Sequence, residues 1–165
     1  MPPALYLDQN YLSGMAKRKP AFTELEPVLR AAVARGAVAV VESDVHEIES
    51  APRPDLGLLE LLRDLSGGRR LPSSPDAPAL EARTRMRATI ERELPERRER
   101  ESDLRDLDAL ARALVHCSIV TCDAFMADVI CRTRLHTRHG AELYSGRRED
   151  VLRLRDRLQG LRKPS

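Results

Sequence analysis

Short uncharged segments alternate with helical patterns along this chain, and the alternation constrains the fold more than any other feature. Residues 5–7, 37–41 and 118–121 carry no charge and are rich in Leu, Val, Ile and Ala, as is typical of strands buried on both faces. A fourth candidate strand lies at residues 142–144. Strands separated by helices favour right-handed crossovers and a parallel sheet. We therefore predict an α/β fold, a three-layer α/β/α sandwich around a central, mainly parallel sheet.

The segments between these strands predict helices with recognisable ends. Thr23, followed three residues later by Glu26, is a candidate capping box, and Ser43 is a good N-cap for the helix after the second strand. Pro95 should end or kink a long charged helix that begins near Glu81. We treat residues 66–101 as a helical insertion within one domain that spans all 165 residues.

The composition excludes several classes of protein. No segment approaches the run of about 20 apolar residues that a membrane span needs, and the three cysteines form no CxxC pair. Both features favour a cytoplasmic protein without a membrane partner. Only 3 of the 28 cationic residues are lysines, and arginine suits phosphate groups better than lysine does.

Acidic residues follow the first three predicted strands. Asp8 ends the first strand, Glu47 and Glu49 lie in the first turns of the helix after the second, and Asp123 stands two residues beyond the third. The carboxyl ends of parallel strands share one edge of a sheet, and ligands bind beyond that edge. We therefore expect these acids to lie near each other.

The segment SDLRDLDALARAL adds further acids to this group. At about 100° per residue, Asp103 and Asp106 fall on or beside the apolar face of the predicted helix, whereas Asp108 points away and reads as a surface acid. Several carboxylates in one place repel each other unless a cation compensates them. Oxygen ligands without clustered His or Cys favour Mg²⁺ or Mn²⁺ over zinc.

These motifs, in this order, resemble the PIN domain, a family of metal-dependent nucleases. The resemblance extends from Leu5 to about Tyr144. It matches Asp8 and Asn10 in LDQN, Glu47 in SDVHEIES with Glu49 as the weaker match, Asp106 in DLDALARAL with Asp103 close by, and Thr121 and Asp123 in VTCD.

The resemblance implies a ribonuclease that uses Mg²⁺ or Mn²⁺ to hydrolyse RNA. Asp8, Asp106 and Asp123 would bind the metal, with Glu47 completing the site and Asp103 as a further candidate ligand. Asn10 and Thr121 would hold the acids in place through hydrogen bonds. The implied partners are an RNA substrate and either an antitoxin or a second copy of the chain.

Two other functions stay open at this point. A PIN-like fold can keep its acids and serve as an RNA-binding or protein-interaction module without catalysis. An α/β hydrolase of small phosphate esters is the other alternative, although the chain contains neither GxxxxGK[ST] nor GxGxxG as a phosphate-binding loop.

Overall fold

A parallel sheet organises the part of the chain that the structure describes. The structure is a computed structural model, and it describes residues 1–99 and 101–165. Within them the sheet has four strands: β1 (Ala4–Tyr6), β2 (Ala39–Val41), β3 (Ile119–Thr121) and β4 (Glu142–Tyr144). The strand order is β2-β1-β3-β4 and every neighbouring pair is parallel. The predicted α/β class is confirmed.

Helices connect the strands and follow the last one. In chain order they are α1 (Gln9–Ala16), α2 (Phe22–Ala34), α3 (Asp44–Ser50), α4 (Leu58–Ser66), α5 (Ala77–Glu93), α6 (Glu101–His116), α7 (Ala124–Thr133), α8 (Leu135–Arg138) and α9 (Arg148–Gly160). A short 3₁₀ turn, Pro54–Leu56, precedes α4. No helix in the described residues is both long and apolar enough to cross a membrane.

The core lies in two layers, one on each face of the sheet. Buried side chains of α5, α6 and α7, such as Met86, Leu107 and Ile130, form one layer. Those of α1, α2, α4 and α9, such as Leu12 and Leu62, form the other. Helices on both faces of the sheet make the three-layer α/β/α sandwich that the alternation predicted.

The start of α2 differs from the prediction. The helix begins at Phe22, with Ala21 as N-cap and no side-chain cap bond, so the capping box at Thr23 and Glu26 is wrong. Phe22 is buried and packs edge-on against Tyr11 of α1, with ring centroids 5.2 Å apart. Burial of this aromatic ring places the helix start before Thr23. Ser43, by contrast, is the N-cap of α3 as predicted.

The predicted insertion contains one long helix, α5, which packs against α6 directly after it. Helix α5 begins earlier than expected because Asp76 caps it, accepting from the Ala79 N–H at 3.0 Å. The helix ends at Glu93, just before Pro95, as the missing N–H of proline requires. Residues 94–99 form a turn and α6 starts at Glu101, while residue 100 lies outside the described residues.

Candidate functional site: a pocket of carboxylates

The strand order creates a crevice at the carboxyl end of β1. The chain crosses from β1 to β2 on one side, whereas β3 pairs with the other side of β1. Ligand sites of open α/β sheets lie at such a switch point. Asp8 follows β1 and Asp123 follows β3, so the topology alone places both acids at this crevice.

Four carboxylates line one small pocket in the crevice, which we call the carboxylate pocket. They belong to Asp8, Glu49, Asp106 and Asp123. The pocket has a volume of about 120 Å³, and its other lining residues are Tyr6, Gln9, Asn10, Leu110, Cys122 and Met126. Acids from the ends of two strands and from helices α3 and α6 therefore converge on one place.

Asp8 is fixed by both its own helix and the neighbouring strand. As N-cap of α1, it accepts at Oδ1 from the Tyr11 N–H at 3.2 Å. Its N–H donates to the Thr121 hydroxyl at 2.9 Å, and that oxygen lies 3.1 Å from Asp8 Oδ1. Burial, together with the charge of Asp123, raises the pKa of Asp8 to about 7 against the hydrogen bonds from Tyr11 and Thr121.

Asp123 repeats this arrangement at the start of α7. Its Oδ1 accepts from the Met126 N–H at 2.8 Å, so it is the N-cap of that helix. Unlike Asp8, it is exposed. The partial positive charge of a helix N-terminus stabilises both carboxylates. In each acid, the capping hydrogen bond occupies one of the two carboxylate oxygens.

Glu49 and Asp106 form the opposite wall of the pocket. Their carboxyl groups are close enough for a protonated Glu49 to hydrogen-bond to Asp106. Burial, then this hydrogen bond and the charges of Asp106 and Asp8, raise the pKa of Glu49 to about 8. The four acids are therefore not all ionised at neutral pH when no cation is bound.

Glu49 lines the pocket in place of Glu47, which the sequence favoured. The carboxylate of Glu47 pairs with Arg70 and lies 3.9 Å from Arg63 Nη2. Residues two apart on a helix point about 200° apart, so only one of the two glutamates can face the crevice. Val45 is buried one turn before Glu49, and that spacing was the signal that identifies Glu49.

Asp103 lies outside the carboxylate pocket, and Asp108 is less exposed than the helical projection suggested. Asp103 lines a neighbouring cavity and accepts from Arg97 Nη2 at 3.1 Å. Asp108 is no simple surface acid, because it pairs with Arg83 at 3.1 Å and with the buried Arg112 at 3.3 Å. Arg112 is a buried cation, so it needs carboxylate partners inside the fold, and Asp108 is one of them.

The side chain of Asn10 occupies the rim of the pocket. It is exposed, and its amide nitrogen lies so close to Gly146 that a Cβ there would overlap it. Asn10 acts on Asp8 through its main chain, since its backbone hydrogen bond lowers the pKa of that carboxyl group. The neighbouring Gln9 donates to Ser50 Oγ at 3.1 Å and joins α1 to α3.

His46 is a positioning residue that sequence reasoning missed. Its Nδ1 accepts from the Ser43 N–H at 2.9 Å, so its Nε2 carries the proton that it donates to the Leu7 carbonyl oxygen at 2.5 Å. Burial lowers the pKa of His46, which favours this neutral form. The ring ties α3 to the residue before Asp8, and its place three residues after the N-cap Ser43 was the available signal.

The four carboxyl groups of the pocket offer oxygen ligands, which suit Mg²⁺ or Mn²⁺. The Cys122 thiol also lines the pocket, but burial raises its pKa well above the ordinary value, which disfavours a thiolate ligand. Among the described residues, no three His, Cys, Asp or Glu side chains are arranged to hold a metal ion. A bound cation would therefore have to draw the four carboxyl groups of the pocket closer together. Comparison with known proteins adds no relative, since no family model, curated protein or solved structure matches the chain.

Proposed function

We propose that this chain is a Mg²⁺- or Mn²⁺-dependent endoribonuclease of the PIN type, acting as the toxin of a toxin–antitoxin pair or in RNA processing. One observation carries the proposal: acids from four separate elements converge on one pocket at the switch point of a parallel sheet. Burial, together with the repulsion between the acids, raises the pKa of Asp8 to about 7 and that of Glu49 to about 8. Such a pocket favours a divalent cation.

The order of the motifs supports the same family. Asp8, Asp106 and Asp123 keep the places that the resemblance gave them, and Glu49 takes the place of Glu47 because it faces the pocket. We assign metal binding to these four acids. Asp103 is left out, since it pairs with Arg97 in the adjoining cavity.

The chain's own residues position the reaction. A bound Mg²⁺ or Mn²⁺ would supply an activated water and neutralise charge on the scissile phosphodiester. Thr121 holds the Asp8 carboxyl group from β3, and His46 holds the Leu7 carbonyl directly before it. Glu49, whose pKa burial raises to about 8, would have to release its proton for a cation to bind there, so the site would become fully anionic only in the loaded state.

The decisive experiment compares two Asp→Asn variants. Asp8→Asn keeps a side-chain oxygen to accept from Tyr11 and Thr121 but removes a charge from the pocket. Asp128→Asn is the matched control, because Asp128 is an exposed residue of α7 that pairs with Arg147 at 3.3 Å. Cleavage of labelled single-stranded RNA is measured with Mg²⁺, with Mn²⁺ and with excess chelator.

We expect metal-dependent cleavage that Asp8→Asn lowers by at least about 100-fold and Asp128→Asn leaves unchanged. Both variants should keep the far-ultraviolet circular dichroism of the parent chain. Cleavage that persists in chelator, or that survives Asp8→Asn at full rate, would remove the carboxylate pocket from the reaction.

A second candidate is an RNA-binding module of the same fold without catalysis. The observation that favours it is the hydrogen bond between Glu49 and Asp106, which accommodates the acids without a metal. On that account RNA binds, but no RNA is cut at any Mg²⁺ or Mn²⁺ concentration. Binding measured by fluorescence anisotropy beside the cleavage assay separates the two functions.

A further inference from the structure

A larger cavity opens directly beside the carboxylate pocket. Its volume is about 300 Å³, at the lower end of the range of about 300–1,000 Å³ for small-molecule sites. Asp106, Asp123 and Met126 line both spaces. A group bound in this cavity therefore lies next to whatever the carboxylates act on.

The walls of the cavity differ in chemistry from the carboxylate pocket. Apolar surface comes from Ile90 and Leu94 of the α5 region, Leu107 of α6 and Phe125 of α7. The side walls carry two arginines, Arg87 and Arg97, each already paired with an acid. Five acids also line the cavity, namely Glu91, Glu99, Asp103, Asp106 and Asp123, so its charged groups are mainly anionic. Such an apolar slot suits a flat, uncharged group whose attached phosphate stays outside the slot.

We propose that the cavity binds the base of the nucleotide adjoining the scissile phosphodiester, stacked on Phe125. This inference rests on the proposed ribonuclease function and gives its substrate class as single-stranded RNA. Bases in a duplex are stacked and paired inside the helix, whereas single strands can turn a base outward onto an aromatic ring. Stacking on aromatic side chains tolerates any base, because every base has a π-face.

The contact between Arg97 and Phe125 shows that the ring face accepts a planar group. The guanidinium carbon lies 4.4 Å from the ring centroid, which is a cation–π arrangement. The ion pair of Arg97 with Asp103 is partly exposed, with 39% and 22% of the side-chain surfaces accessible, and such pairs contribute little to stability. Arg97 can therefore leave the Phe125 ring and pair with a neighbouring phosphate when a base enters the cavity.

This assignment also gives residues 66–101 a role. Helix α5 and the turn at residues 94–99 supply Ile90, Leu94 and Arg97 to the cavity. The residues that line the carboxylate pocket all lie outside that segment. The segment then determines how RNA is held, while the sheet edge determines the chemistry.

The test measures RNA binding separately from cleavage. Asp8→Asn serves as the background, and the probes are a fluorescent single-stranded oligoribonucleotide and the same ribose-phosphate chain without bases. Phe125→Leu keeps apolar volume but removes the ring, whereas Phe125→Trp keeps a stacking surface. Leu94→Trp, at a position 42% exposed, fills the cavity with little risk to the fold and serves if Phe125→Leu unfolds.

We expect Phe125→Leu and Leu94→Trp to weaken binding of the base-bearing RNA by about tenfold. Phe125→Trp should retain it, and none of the three should change binding of the base-free chain. Equal losses for both probes, or no loss for either, would overturn the assignment. If the parent chain cuts no RNA while the base-dependent losses persist, the nuclease proposal fails and the base site stands.

Discussion

Glu49 of α3 hydrogen-bonds to Asp106 of α6 when Glu49 is protonated, and both residues line the pocket that Asp8 and Asp123 also line. A carboxylate pair can share such a bond only by keeping a proton. The proton lowers the charge of the pocket in the same way that a cation would. If the proposed function is correct, a proton and a metal ion compete for one site, and several variants test this competition.

Glu49→Gln should weaken metal binding, whereas Glu47→Gln should not. Glu49 lines the carboxylate pocket, whereas Glu47 lies on another side of α3 and pairs with Arg70. We expect Glu49→Gln to weaken Mn²⁺ binding by roughly 10- to 100-fold and Glu47→Gln to leave it unchanged. Isothermal titration calorimetry measures the affinities.

The two glutamates are two residues apart on one helix, so the pair of variants controls for local effects on α3. Thermal unfolding of each variant in chelator checks that the fold is kept. Equal affinities in the two variants would exclude Glu49 as a ligand, and a loss confined to Glu47→Gln would restore the original assignment.

Asp8→Asn should stabilise the metal-free protein at pH 8. The folded-state pKa of Asp8 is about 7 against an ordinary 3.8, so the folded state binds the proton more tightly than the unfolded state does. Stability of the parent chain therefore falls as pH rises from about 4 to 7. Removing the charge should recover on the order of 2 kcal/mol at pH 8 and almost nothing at pH 4.

Urea denaturation at both pH values in chelator tests this expectation. Asparagine can still accept from Tyr11 and Thr121, so the cap of α1 is kept. A destabilised variant at pH 8 would mean that the ionised carboxylate is favourable in the fold. With excess Mn²⁺ the expected ranking should be reversed. The parent chain should become the more stable of the two, because only the parent gains the full free energy of metal binding.

Mn²⁺ affinity should rise with pH between about 6 and 8. The pKa of Asp8 is about 7 and that of Glu49 about 8, and both groups must lose their protons before they bind a cation. The affinity should rise by up to about tenfold per pH unit for each proton released. Calorimetry in two buffers of different ionisation enthalpy counts the protons, and a flat affinity over this range would contradict the expectation.

The architecture could be predicted because it depends on patterns that few other folds satisfy. When uncharged segments of strand length alternate with helical stretches, few folds other than those with a parallel sheet are possible. Element ends were less certain, because they depend on contacts distant in sequence. Phe22 starts α2 early by packing on Tyr11, and Asp76 starts α5 before the charged stretch that predicted it.

Only the part of the candidate site that depends on the sheet topology could be predicted from the sequence. Asp8 and Asp123 follow adjacent strands, so their meeting needed no knowledge of side-chain packing. Glu49 and Asp106 lie on helices, where the rotation of each helix decides which acid faces inward. The partners of Asp103 and Asp108 lie in α5 and in the segment that follows it.

Arg112→Ala should be strongly destabilising. The side chain is 1% exposed, donates to the Pro72 carbonyl oxygen at 2.7 Å and pairs with Asp44 at 2.9 Å and Asp108 at 3.3 Å. Its removal leaves carboxylates without their cation and empties a large volume, so we expect a loss of about 3 kcal/mol in the free energy of unfolding.

Arg83→Ala is the matched control for this effect. Arg83 pairs with the same Asp108 at 3.1 Å but is 40% exposed, and exposed pairs contribute about 0–1 kcal/mol. Urea denaturation of both variants gives the comparison. Similar losses in the two would show that Arg112 contributes through charge alone and not through its buried position.

Two Gly→Ala substitutions within helices should change stability in opposite directions. A Cβ on Gly14 of α1 would lie 2.7 Å from the Phe22 ring, whereas a Cβ on Gly160 of α9 would meet no atom of the described chain within 4 Å. Alanine favours a helix over glycine, so Gly160→Ala should gain up to about 1 kcal/mol. Overpacking should instead cost Gly14→Ala about 1–3 kcal/mol, because α1 and α2 must separate. Thermal unfolding ranks the variants, and a Gly14→Ala chain as stable as the parent would mean that Phe22 can move without disturbing the helix that carries Asp8 at its N-cap.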